Sequence, residues 1–189
     1  IEGGRGTSGY ALSGFIAGLD VARARRDEAA IERWSEVIEE IVGQFEDGHP
    51  TRRLRAFLGP DGEALATGIA ADSQFYIERL HHVERAFATC ADRRQAVAAD
   101  AVEEVVAAAA RREAQPLLGQ ALRVRGLQAG AAADLRAALA IFEEMRSVPY
   151  VGRLQIELGT LTGDRPLVER GIAVLEDLGD VDHLERIAR

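Results

Sequence analysis

Apolar residues recur at spacings of three and four along nearly the whole chain, and no useful length alternates as a half-buried strand would. Leu12, Phe15, Ile16, Leu19 and Val21 place an apolar stripe on a helix running to about Arg25. Asp27 is positioned to cap the next helix, whose predicted buried face is Ile31, Trp34, Val37, Ile38 and Ile41. Gly48-His49-Pro50 breaks the chain, Thr51 caps a short helix through Leu54, Phe57 and Leu58, and Gly59-Pro60-Asp61-Gly62 is the strongest turn signal. From Glu63 to Cys90 two readings stand. One long helix is lined by Leu65, Ile69, Tyr76, Leu80, Val83 and Phe87, or the chain breaks at Asp72-Ser73. A further helix is predicted from about Asp92 to Ala114, where the alanine run from Ala107 to Ala110 lets neighbours approach closely. The pattern is all-α.

The chain also repeats itself. A shift of 33 residues lays Pro116 on Pro149, Gly119 on Gly152, Gly126 on Gly159 and Gly130 on Gly163. It also lays Ala140 on Ala173, Glu143 on Glu176 and Phe142 on Leu175. The physical reading is a helix, a turn at glycine, a second helix, and a turn with proline where the next pair begins. A longer echo at 137 residues lays Asp27, Glu32, Arg33, Val37 and Glu39 on Asp164, Glu169, Arg170, Val174 and Glu176.

These units resemble the tetratricopeptide repeat. Gly126 and Gly159 fill its glycine slot, Leu158 precedes the second as the pattern asks, and Ala138 and Gly171 fill its small-residue slot. Leu122 and Gln155 stand where the family has Trp, and Ala129 and Thr162 where it has Tyr. The resemblance covers about Pro116 to Gly179 and implies an all-α, right-handed α-solenoid of about five antiparallel helix pairs. It implies a flexible N-terminus at 1–7, degenerate helical repeats at 8–114, and two tetratricopeptide-like repeats plus the start of a capping helix at 115–189. Trp34 falls where the pattern wants a small residue, so the first pair must pack differently.

Composition narrows the chemistry. All 23 basic residues are Arg, so a Walker-type lysine loop and Schiff-base chemistry are excluded. The single cysteine, Cys90, excludes an internal disulfide and a Cys-rich zinc site, and sits on an apolar face with Val83 and Phe87. A net charge of −8 argues against nucleic acid as a partner, and no stretch approaches the roughly 18 apolar residues of a membrane span. A cytoplasmic location is the default reading. The chain opens without Met and closes inside a helical pattern, so it reads as a piece of a longer protein.

No catalytic set, metal site or cofactor is expected. His81 and His82 are adjacent and about 100° apart on a helix; Glu78 and His82 share a face but supply only two ligands. The pairs Glu39-Glu40, Glu103-Glu104 and Glu143-Glu144 read as solvated helix faces, and no G-x-S-x-G elbow is present. The family's concave groove, lined by the first helix of each pair, implies binding positions at Arg23 and Arg26 and at Gln120, Arg123 and Leu127. Arg153 and Ile156 follow on the next unit, with Leu19 and Thr160 beside them. Several Arg on one surface suit a carboxylate or acidic peptide; the alternative is that they pair with neighbouring Glu on solvated faces.

The phrasing of Ala121–Leu127 and Ala138–Glu144 is similar to repeat regions of bacterial LuxR-type ATPase regulators and class III nucleotide cyclases. That similarity implies a non-catalytic interaction or sensor module in signal transduction or transcription regulation, with a protein or peptide partner or other domains of the same full-length chain. The second reading is a self-contained helical assembly protein forming a homodimer.

Overall fold

The computed structural model describes residues 9–44 and 76–187, and side chains at 9–13, 16, 42 and 76–82 are outside that description. The predictions for Thr51 to Leu58, for the Gly59–Gly62 turn and for a break at Asp72-Ser73 therefore lie outside the described residues. The chain divides into two units, residues 1–61 and 62–189.

In the first unit, α1 (Gly9–Arg25) packs against α2 (Glu28–Gly43). Asp27 accepts the backbone N–H of Ala30 at 3.0 Å, the capping role its position predicts. Leu19 on α1 and Ile38 on α2 are fully buried. Trp34 fits because its ring lies over Gly18, where an added Cβ would come within 2.9 Å, and against Phe15 at 5.9 Å. Val21 is a correction: it is exposed, and Ala22, three residues from Leu19, carries the buried stripe instead.

The second unit holds α3 (Tyr76–Arg93), α4 (Ala99–Arg111), α5 (Gln115–Ala129), α6 (Ala132–Glu144), α7 (Val148–Thr162), α8 (Arg165–Leu178) and α9 (Val181–Ile187). All described regular structure is helical. The starts at Ala99, Ala132 and Arg165, and those at Gln115, Val148 and Val181, each fall 33 residues apart. Packing follows the same interval. A Cβ at Gly119 would strike Phe142 at 2.7 Å, and one at Gly152 would strike Leu175 at 3.0 Å. Gly126 faces Leu135 at 2.8 Å and Gly159 faces Val168 at 2.7 Å, while Gly171 leaves only 2.5 Å to the carbonyl oxygen of Gly152.

One predicted helix is corrected. The segment from Asp92 to Ala114 is not continuous: α3 runs on through Arg93, and α4 begins only at Ala99. The break is a left-handed turn at Arg94, φ 56°, closed by the N–H of Gln95 donating to the carbonyl of Cys90 at 2.9 Å. The same closure recurs at Arg26, Glu113, Gly130, Arg146, Gly163 and Gly179, each with positive φ. In every case the following N–H donates five residues back, as Asp27 does to Ala22 and Asp164 to Gly159. This is the Schellman arrangement, which satisfies carbonyls a helix end would otherwise leave open.

Helix α5 lies at the centre, with α3, α4 and α6 packed on it. One apolar cluster joins Phe87, Cys90, Ala91, Val102, Ala121 and Val124; a second joins Leu122, Leu135, Ala138, Phe142, Leu154 and Leu158. Two substitutions test this account. Arg146→Gly relieves a left-handed Arg and should raise unfolding free energy in urea by about 0.5–1 kcal/mol. Gly171→Ala should lower it by about 1–3 kcal/mol, because its methyl meets backbone that cannot rotate away.

Candidate functional site: a buried arginine–carboxylate cluster

The first helices of successive pairs converge on one carboxylate. The last turn of α3 carries Asp92, α5 brings Arg123, and α7 brings Arg153 and Glu157, which lie four apart on one face. Asp180 precedes α9, which supplies His183 and Arg186.

Arg123 is completely buried. Its Nε donates to Glu157 Oε2 at 2.8 Å and its Nη2 to Glu157 Oε1 at 2.6 Å, a two-pronged pair, while Nη2 also reaches Asp92 Oδ1 at 2.7 Å. Arg153 Nη1 takes the other Asp92 oxygen at 2.6 Å, and its Nε and Nη2 donate to Asp180 Oδ2 at 3.2 and 2.7 Å. Asp180 Oδ1 accepts the backbone N–H of His183 at 3.2 Å, and Arg186 Nη1 donates to the Asp92 carbonyl at 3.3 Å. The Tyr150 ring lies beneath the Arg153 guanidinium at 5.7 Å and against Phe142 at 4.8 Å.

The electrostatics follow from this crowding. Burial alone would raise the Asp92 carboxyl, but Arg153 and Arg123 outweigh it and hold it far below the usual carboxylate range. Burial opposes the charge on Arg123, yet Glu157 and Asp92 overcome it and fix the guanidinium as a cation. Burial, Asp92 and Glu84 push the Tyr150 hydroxyl up to about 12. Burial pushes His183 down to about 4 against the pull of Asp92, so the imidazole is neutral at pH 7. A carboxylate in a helix's last turn opposes the helix dipole; two guanidinia on Asp92 reverse that balance. Not every group is served. Both amide atoms of Gln120 and Nη1 of Arg123 are buried without a hydrogen-bond partner.

The sequence-derived binding positions are thus placed largely inside the molecule. Arg123 and Arg153 meet around internal carboxylates, sharing Asp92 and pairing with Glu157 and Asp180. Gln120 and Ile156 are buried, Leu127 is half-buried beside both apolar clusters, and Thr160 is exposed. Arg23 and Arg26 belong to the other unit, where Arg26 forms the left-handed turn after α1. Arg125, outside the predicted set, pairs with Asp134 at 2.7 Å and with the exposed Glu103 at 2.9 Å.

Asp92, Glu157, Asp180 and His183 were not singled out by sequence reasoning. One signal was available: at a shift of 33, Arg123-Val124 lies on Ile156-Glu157, so each unit places one charge where its neighbour has an aliphatic residue. Opposite charges in adjacent buried slots are a pairing signature. Cys90 is buried, as its apolar face predicts. The side chains of Glu78, His81 and His82 lie outside the described residues, and among those described no group of three His, Cys, Asp or Glu side chains is arranged to hold a metal ion. Comparison with models of protein families, with curated proteins and with solved structures finds no match to the chain.

Because Arg123 is the one cation paired with Glu157 among the described residues, Arg123→Met should cost about 3–5 kcal/mol in urea unfolding by stranding a buried carboxylate. Adding Glu157→Leu to it should recover most of that loss, the outcome a double-mutant cycle measures directly.

Proposed function

We propose that the chain is a non-catalytic protein-interaction or sensor module of a larger bacterial signalling or transcription regulator. In this reading it is built as a right-handed, tetratricopeptide-like solenoid of about five helix pairs. The observation that carries the reading is the recurrence of helix starts and of glycine-on-side-chain packing at one 33-residue interval. An array of this kind presents a pre-ordered surface, so a partner loses little entropy on its side in docking.

The partner contact proposed is a peptide or a neighbouring domain lying along the first helices, over Leu127, Arg153 and Thr160. Arg153 is engaged already by Asp92 and Asp180, so an incoming carboxylate has to displace one of them. Affinity in isolation is then weak and salt-sensitive, with apolar contact contributing alongside charge. Exposed Met145, Val148 and Val181, the last two at equivalent first positions of α7 and α9, favour a homodimer as the second reading.

An array of acidic peptides should bind the wild-type chain at low salt, lose binding with Thr160→Trp on the exposed face of α7, and leave the chain monomeric by light scattering. A concentration-dependent dimer insensitive to Thr160→Trp, but broken by Val148→Glu, selects the assembly reading.

A further inference from the structure

Helix α9 is held by polar ties more than by apolar burial. Of its seven residues only His183 is buried, and Val181 and Ile187 are 41% and 38% exposed. It joins α8 through Gly179 and Asp180. Its holds on the rest of the unit include the Asp180–Arg153 pair, the Arg186 hydrogen bond to the Asp92 carbonyl, and the seat of His183 beside Asp92.

In that seat Nδ1 has no hydrogen-bonded carboxylate. His183 Nδ1 is 4.0 Å from Asp92 Oδ1, outside hydrogen-bond range. Both Asp92 oxygens accept from Arg123 and Arg153, and both Glu157 oxygens accept from Arg123. Asp180 gives one oxygen to Arg153 and the other to the backbone N–H of His183 itself. The charged groups facing the imidazole are therefore Asp92 from α3, Arg123 from α5, and Arg153 and Glu157 from α7. Within its own segment are Asp180, Asp182, half-buried Glu185 and Arg186, Asp182 and Arg186 being paired with each other, and α8 brings exposed Glu176 and Asp177 to this end. A proton on His183 would add a buried cation beside two guanidinia whose carboxylates are already taken.

We propose that α9 is a proton-released latch: a proton taken up by His183 as the pH falls from 7 to 5 frees residues 180–187 from the Asp92 cluster, while α5 to α8 stay folded. In the docked form the imidazole is held neutral down to about pH 4, whereas a released imidazole titrates at its ordinary value of 6.5. The released form thus binds more protons between those values, and docking weakens as pH falls through that window. From pH 7.5 to 5.0 the opening equilibrium shifts toward release by about 30-fold. Release uncovers Asp92 and Arg153. Use of that face as a gated partner site rests on the function proposed above; the latch itself does not.

The test is hydrogen–deuterium exchange of the full chain between pH 7.5 and 5.0, corrected for intrinsic exchange. Protection at 181–187 should fall about 30-fold while 115–178 keep theirs, and His183→Gln should abolish the pH dependence. In the folded wild type, nuclear magnetic resonance titration should show no imidazole step for His183 above pH 5 in the docked form. Unchanged protection at 181–187, an equal fall in His183→Gln, a joint loss across α5 to α8, or a docked His183 titrating near 6.5 each overturns the latch. The wild-type titration decides the matter if the variant does not fold.

Discussion

The structure depends on one constraint: a guanidinium with no access to water must find carboxylates, and Arg123 finds them on two other helices. Its pair with Glu157 ties α5 to α7, and its contact with Asp92 ties α5 to α3. Arg153 extends the chain of contacts from Asp92 to Asp180 and so to the segment carrying α9. Apolar packing orders each helix against its immediate neighbours, but hydrophobic contact is non-directional and tolerates sliding. Charge-assisted hydrogen bonds with fixed geometry specify which turn of α3 meets which turn of α5 and α7. Removing one member exposes the others as unpaired buried charges, so the cluster is sensitive out of proportion to its size.

The same geometry bears on function. Three first helices, α5, α7 and α9, bring polar groups to Asp92 on α3 and occupy its surroundings with their own ion pairs. The molecule uses internally the side chains that would otherwise grip an acidic ligand. On the function proposed above, a partner would meet the rim of the cluster, at Arg153, Leu127 and Thr160, and would compete with internal carboxylates for what it binds.

Much of the fold was legible because local signals and packing agree. Gly130, Gly163 and Gly179 mark helix ends by their left-handed turns, and Pro116 and Pro149 mark starts. The 137-residue echo is matched turn for turn, since Arg26 and Asp27 repeat the backbone roles of Gly163 and Asp164. The end of α3 was not legible. Arg94, Glu113 and Arg146 make the same turn without glycine, and a solvent-facing Arg carries no mark of its backbone angle. The cluster was half legible for a related reason. The tetratricopeptide resemblance put Arg123 and Arg153 toward one groove, but Asp92 read as a helix start, and only the true end of α3 brings its carboxylate between them. Gln120 stands at the register position of Arg153 and has no partner of its own, so equal register does not confer equal surroundings.

The most direct measurement of the central claim is side-chain nuclear magnetic resonance of uniformly nitrogen-15-labelled protein, following the arginine Nε–H groups. The account predicts slowly exchanging, hydrogen-bonded Nε–H signals from Arg123 and Arg153, that of Arg123 losing protection when its acceptor Glu157 is replaced by Ala. Rapid solvent exchange at both, with no response to that substitution, would contradict it.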